Sequence, residues 1–559
     1  MLLFLLVLGV AQAASVEEVL SSELDRAMAV FSEQDEKPHY AAVVVEDREQ
    51  GTISARDGAL SASSLKRERL LDVDIRVGDP ALDSTHQLRG FSAMEGGDRR
   101  RNDFPLDDAP EAALRHEVWK ELDRAYRDAA ERIVIVRANL NVKVEEESPA
   151  PDFTLATAPT VDHREVSPIE LDRGAWETTL VEISERLDAS PVVHRSSVSL
   201  ASLRVVKTFV DTEGTRLVHG TTRLRMTMDL SSTAPDGDVV RVFRSKDLHR
   251  PEALPAPEEL EVWADEAVAR LEELVQAPRG QPYSGPVILA GKAAGVFIHE
   301  VLGHRVEGHR QKREDEGKTF ADYVGRPILP EFIDVFDDPT VAHLAGHDLN
   351  GFYVYDDEGT RAQRADLVDD GIFVGFLMGR SPIPGFDQSN GHARRMAGRA
   401  PLTRMGNTIV EARRTVSDAE LRKMLLAEVR AQGLEYGVVV EEIDGGFTLT
   451  GRQMPNAFNV RASASWRVYA DGRPDELVRG IDLVGTPFAA FSNLIAASDS
   501  LQVFNGHCGA ESGWVPVSSV APNLLFQRLE FQLKEKQQER PPLLAKPMAS
   551  DDGAAEVAR

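Results

Sequence analysis

The stretch Val287-Ile-Leu-Ala-Gly291-Lys-Ala-Ala-Gly-Val-Phe-Ile-His299-Glu300-Val-Leu-Gly303-His304 decides how this chain is read. A short β-branched run feeds an apolar segment of helical character, so a buried strand followed by a helix is expected. Three of the chain's 14 histidines, His299, His304 and His309, fall close together here. Imidazole is the commonest metal ligand, and a Glu beside the first His is the arrangement of a water-activating zinc site. The spacing is unusual. H-E-x-x-H places two imidazoles about 40° apart on a helix, whereas the i, i+5 spacing here separates them by about 140°. A π-bulge, permitted by Gly303, is the expected means of bringing both rings to one face.

A third ligand is sought downstream. Cys508 is the only cysteine, so no internal disulfide can form. It lies in Phe504-Asn-Gly-His507-Cys508-Gly-Ala-Glu-Ser-Gly513, which reads as a glycine-punctuated loop. A thiolate is an excellent zinc ligand, and His507 is an alternative to it.

Working outward, the 559 residues suggest several domains, and 42% hydrophobic with 28% charged residues is the balance of a globular protein. Against 64 Lys and Arg stand 91 Asp and Glu, a net charge of −27. That excludes a nucleic-acid partner, because phosphate neutralisation needs concentrated cations, and it disfavours anionic membrane surfaces. The start, MLLFLLVLGV followed by Ala11-Gln12-Ala13, reads as a secretory signal peptide over 1–13, too short to span a bilayer. A periplasmic or secreted location is expected, with no stable membrane insertion.

An α+β fold is expected: an N-terminal α/β region over 14–250, then a β-rich C-terminal domain over 282–536 that carries the metal-site helix. Helices are expected over Val16–Phe31, Glu111–Arg132 and Ala175–Leu187, and strands around 41–45, 71–77, 198–210 and 216–228. A Pro-rich break and an amphipathic helix over 251–281 link the two parts, with Leu260, Trp263, Ala267, Leu271, Leu274 and Val275 on one face. Residues 458–468 alternate with a clean two-residue period, and a hairpin partner is expected at 476–481. Residues 146–168 read as a loop, and 537–559 as a disordered tail.

Several motifs, in order, resemble the TldD/PmbA family of zinc metallopeptidases, on its metal-bearing TldD side. They are HEVLGH at 299–304 with Glu307-Gly308, then Asp356-Asp-Glu-Gly359-Thr with Asp369-Asp-Gly371. Ser389-Asn-Gly-His-Ala-Arg-Arg395 follows, then Arg404-Met-Gly-Asn407, and finally the 505–517 segment around Cys508. The resemblance implies a Zn2+ ion held by His299, His304 and Cys508, and trimming or degradation of unfolded peptides. It also implies a dimer that encloses the active site, either a homodimer or a heterodimer with a family paralogue.

Three protein ligands leave a fourth position for water, and Glu300, pointing away from the ligands' direction, is the expected general base. His309, Arg394 and Arg395 are candidate oxyanion donors. Arg394 and Arg395 are also candidates to grip a peptide carboxylate, with a structural ion pair as the plainer alternative. The acidic clusters at 356–358 and 369–370 lack the alternation of a calcium loop and read as solvated turns. Zinc-dependent peptide hydrolysis is the reading this supports. The rivals are a metal-stabilised module that holds peptides or a partner without cutting them, and a purely structural zinc.

Overall fold

The structure is a computed structural model, and it describes residues 15–88, 102–106, 111–140, 149–313, 315–452, 457–535 and 544. The signal-peptide segment and nearly all of the C-terminal tail lie outside the described residues.

The fold is α+β, with its β-rich part in the C-terminal half. The first sheet joins strands Pro38–Arg56, Ala59–Val77, Arg195–Asp211, Arg216–Thr233 and Val239–Leu248 in antiparallel pairs, and the short strand Val161–His163 runs parallel to Arg216–Thr233. Strand alternation gives it two buried faces. Ala41, Val43 and Val45 meet the helices Val16–Phe31 and Glu111–Leu140, through Leu20, Leu24, Leu114 and Val118. Tyr40, Ala42 and Val44 pack with Phe153, Phe209 and Tyr355, the last from the C-terminal half. The helices Arg173–Asp188 and Pro257–Gln276 cover the rest, with Leu260, Ala267, Leu271 and Leu274 buried and Trp263 half-buried against them.

The two N-terminal strands are each 19 residues long, far beyond the runs at 41–45 and 71–77 that their apolar content reveals. The distal half of the second, from Ala59 to Glu68, is largely exposed, so no apolar alternation marks it. The turn between them is Asp57-Gly58, both with positive φ (52° and 70°), a dipeptide suited to a tight hairpin.

Among the described residues the second sheet has 11 strands. Five of them, Tyr283–Leu289, Tyr436–Thr448, Phe458–Tyr469, Ile481–Gly485 and Gly513–Leu533, close into a ring, because the first also pairs with the last. The expected 458–468 alternation is the buried face of one of these strands. Its expected hairpin partner is divided at Gly480 into two pieces, Glu476–Val478 and Ile481–Gly485.

Against this sheet packs the helix Gly291–Val301, buried at every position except Lys292. Phe297 lies edge-on to Phe458, Phe491 and Phe526, which fixes the helix's rotation and so the direction of His299. No helix among the described residues is long and apolar enough to cross a membrane.

Candidate metal centre

The helix stops at Val301, one residue after Glu300. Arg305 closes its end by donating to the carbonyl oxygens of Glu300 (2.7 Å) and Val301 (3.1 Å), which have no further helical turn to serve them. The chain then tightens into a 3₁₀ turn over Gly303–Val306.

This change of helix type brings His304 back toward His299, and the expected π-bulge is absent. Gly303 takes part for a reason other than backbone distortion, since a Cβ there would sit 2.0 Å from Met405 Sδ. The turn is pressed against Met405 and has no room for a side chain.

Cys508 arrives from the other side. It lies on strand Leu494–Ala510, paired with Val515 of the next strand, so the expected loop is the end of a hairpin that turns at Glu511-Ser512. Strand alternation then separates the two neighbouring candidates. Cys508 is buried, while His507 is exposed and accepts a hydrogen bond from Arg225 (3.2 Å). The alternative that His507 is the third ligand is not what the structure forms.

His299 Nε2 lies 3.2 Å from Cys508 Sγ, and His304 Nε2 lies 3.3 Å from it. Ligand atoms from all three residues fall within 4.8 Å of one another, the one such group of three among the described residues. A tetrahedral zinc with bonds of about 2.0–2.3 Å separates its nitrogen and sulfur ligands by roughly 3.5 Å, so the donor set and spacing fit the ion.

The electrostatics agree. Burial pushes the Cys508 thiol up, but His304 and His299 outweigh it and hold the thiol well below its ordinary range. Beside His304 stands the fully buried Glu307, 3.3 Å from Nδ1, which leaves Nε2 to face the thiol. Burial pushes Glu307 up, yet His304, Arg310 and Arg404 hold it well below the carboxylate range.

Two arginines complete the frame. Arg404 is wholly buried. It donates to the carbonyl oxygens of Cys508 (2.7 Å) and Gly513 (3.0 Å) and to Ser512 Oγ (2.9 Å), with its Nε 3.4 Å from Glu307. Arg310 bridges Glu307, Glu316 and Glu511 at 2.7–3.2 Å. Nothing in the Arg404-Met-Gly-Asn407 motif reveals this role, which depends on contacts to residues more than a hundred positions away.

Glu300 is buried, and its Oε2 has no hydrogen-bond partner among the described residues. A Cβ at Gly446 would lie 2.7 Å from Glu300 Cγ, so strand Tyr436–Thr448 confines the stem of this side chain.

The weaker candidates go elsewhere. His309 is buried against Thr403, with Nδ1 3.0 Å from its hydroxyl and Nε2 unpartnered, and burial followed by Arg310 pushes it down to about 3. Arg394 donates to the Met405 carbonyl oxygen (2.5 Å) and lies over the Tyr353 ring. Arg395 pairs with Asp72 of the first sheet at 2.5 Å.

The 356–358 cluster is not a solvated turn, because Asp356 is buried and caps backbone N–H groups of Glu358, Thr360 and Ala393. Asp357 pairs with Lys207. The 369–370 pair is exposed and bound to Arg413.

Residues 282–533 match the model of the PmbA/TldA metallopeptidase C-terminal domain. This part of the chain belongs to the TldD/PmbA family. Within that family the chain is 28% identical over 343 residues to a metalloprotease of Methanothermobacter thermautotrophicus, covering 59% of this chain and 68% of that protein. A zinc metalloprotease TldD homolog of Saccharolobus solfataricus is 25% identical over 247 residues, 44% of this chain and 51% of the relative. The chain spans about half the length of most curated relatives it matches.

TldE from Thermococcus kodakarensis shares the fold, with a TM-score of 0.60 at 15% identity over 92% of this chain and 99% of that one. A Thermotoga maritima protein described as a candidate modulator of a DNA gyrase gives 0.61 at 14% identity, covering 92% of this chain and 100% of that one.

Proposed function

We propose that this TldD/PmbA protein is a zinc-dependent peptidase of unfolded peptides, exported from the cytoplasm and working as a dimer. The observation that carries the reading is the unpartnered Oε2 of Glu300, a buried carboxylate oxygen on the residue next to His299. A general base needs a carboxylate oxygen free to take a proton beside the metal. Glu307 Oε1 also lacks a hydrogen bond, but it lies against His304 and Arg404, whereas Glu300 Oε2 has no cation paired with it among the described residues.

His299, His304 and Cys508 would hold the ion through two imidazole nitrogens and a thiolate. When bound, zinc supplies Lewis acidity to a peptide carbonyl and makes water acidic near neutral pH. The chain's own residues do the rest. Glu307 fixes the orientation of the His304 ring, and Arg404 holds the Cys508 backbone. Glu300 Oε2 accepts the proton of the attacking water and returns it to the leaving amine. Gly446 leaves room for the Glu300 stem and for little else.

The test is cleavage of a mixed unfolded peptide pool by the zinc-loaded chain, read by mass spectrometry beside Glu300→Gln. Cleavage by the wild type alone supports the reading. Equal cleavage by both removes Glu300 from its role, and silence from both with zinc bound moves the function to peptide holding without hydrolysis. Light scattering of the same preparation gives the oligomeric state, and the N-terminus of the exported protein reports whether residues 1–13 are removed.

A further inference from the structure

The face of the 494–510 strand that carries His507 looks toward the first sheet, where two arginines wait. Arg223 and Arg225 are two residues apart on strand Arg216–Thr233 and therefore share a face. Arg225 donates through its terminal nitrogens to His507 Nδ1 (3.2 Å), Ser245 Oγ (3.2 Å) and the Asn505 carbonyl oxygen (3.3 Å), while its Nε, 3.6 Å from Asp247, makes no hydrogen bond among the described residues.

Arginine only donates, so His507 Nδ1 must accept and the ring proton sits on Nε2. Arg223 makes fewer such contacts and has no ion pair of its own among the described residues. It donates to the Phe352 carbonyl oxygen (3.2 Å), while its buried Nε has no hydrogen-bond partner among the described residues.

Arg394 adds a third cation to the neighbourhood, and Asp247 is the carboxylate that faces the group. Asp247 is itself occupied by the Asn350 amide (3.1 Å) and by Arg225. Burial, then the Arg394 charge, push the Arg223 guanidinium down to about 10, the condition of a buried cation short of a counter-charge. In a chain of net charge −27 this concentration of uncompensated positive charge stands out. Beside it on the hairpin, Trp514 is 64% exposed and lies across from Gly509.

We propose that Arg223 and the Nε2–H of His507, held in place by Arg225, form an anchor for a carboxylate of the peptide substrate, one residue along the strand from Cys508. This rests on the peptide-substrate reading above and deepens it. A guanidinium edge and an imidazole N–H together match the two oxygens of a carboxylate. The exposed Trp514 ring offers the rest of the peptide an apolar surface. His507 and Cys508 lie on opposite faces of the strand, so the anchor is set apart from the metal centre itself. The carboxylate could come from the peptide's C-terminus or from an acidic side chain.

The experiment uses the full zinc-loaded chain carrying Glu300→Gln, so that bound peptides survive. Three peptides of one extended, otherwise non-acidic sequence carry a neutral fluorophore: one with a free C-terminus, one amidated, and one amidated with an internal Glu. Anisotropy should show at least one carboxylate-bearing peptide binding about tenfold or more tighter than the plain amide, as expected for a charge-assisted contact. The arm that gains identifies the source. Arg223→Gln, and separately His507→Gln, which leaves the arginines in place, should each abolish the preference while zinc content is kept.

Equal binding of the three peptides, no binding of any, or a preference that survives both substitutions would overturn the anchor. Cleavage of the amidated peptide by the Glu300-containing chain is scored separately. It upholds or sinks the peptidase reading whatever the anchor does.

Discussion

Arg404 Nη2 donates to the carbonyl oxygen of Cys508 at 2.7 Å, from a guanidinium that is wholly buried. The same group lies 3.4 Å from Glu307 and reaches Ser512 and Gly513, so one side chain ties the hairpin bearing the thiol to the turn bearing His304.

Replacing Arg404 with Met should be severe. It leaves Glu307 short of a cation and the Cys508 and Gly513 carbonyl oxygens without their donor, and breaking a buried charged network costs about 3–5 kcal/mol. Thermal unfolding of the zinc-free protein measures this, and a change below about 1 kcal/mol would show that Arg404 is dispensable to the frame.

Glu307→Gln keeps the shape and removes the charge beside His304 Nδ1. Loss of such an orienting carboxylate typically lowers metal affinity about 10–100-fold. Competition with a zinc chelator reads the change directly, and an unchanged affinity would mean that Glu307 serves Arg310 and Arg404 alone.

Gly303→Ala should push the 3₁₀ turn away from Met405, because its Cβ would meet Sδ at 2.0 Å. Overpacking of this kind costs about 1–3 kcal/mol. The double variant with Met405→Ala frees the space, so it should regain zinc binding relative to Gly303→Ala alone. Failure of that rescue would point to backbone conformation at residue 303 as the real constraint.

Stability should fall with acid in a way that His309 controls. Its pKa drops from 6.5 to about 3 on folding, through burial first and then Arg310, so below about 6.5 the unfolded chain binds a proton that the folded chain refuses. The contribution is complete above 6.5 and is lost as the pH falls toward 3. Glu511 adds a second loss at lower pH. Burial pushes it up, but Arg310 outweighs this and holds it at about 2 against an ordinary 4.5, so its share fades as the pH falls through that interval. Melting temperatures of chelator-treated wild type and His309→Gln between pH 4 and 7 should converge toward acid if this holds, and parallel curves would refute it.

Much of the centre was legible because its parts are local or chemically rare. Two histidines five apart beside a glutamate, and one cysteine in the whole chain, can be found without a structure. The manner of their meeting could not. The 3₁₀ turn is set by Arg305 capping the helix end and by Met405 crowding Gly303, and both are contacts to residues far along the chain or turned back on it. His507 and Cys508 are equivalent as letters, and only the strand's pairing with Val515 separates the buried side from the exposed one.

The 356–358 acids read as surface because acids usually are. They are buried because the first sheet brings Lys207 to Asp357 and the loop turns its own N–H groups onto Asp356.

By itself, then, the sequence determined the fold class, the helices that bury an apolar stripe, and a short set of residues able to bind a soft divalent ion, with His507 still an alternative to Cys508. Each rests on periodicity or on ligand chemistry that a linear chain already carries. The tertiary structure alone decided which imidazole nitrogens face the thiol, that Glu300 keeps an unpartnered oxygen beside them, and that Arg404, Arg310 and Arg223 matter. Charges are placed by what surrounds them, and here the surroundings come from the other half of the chain.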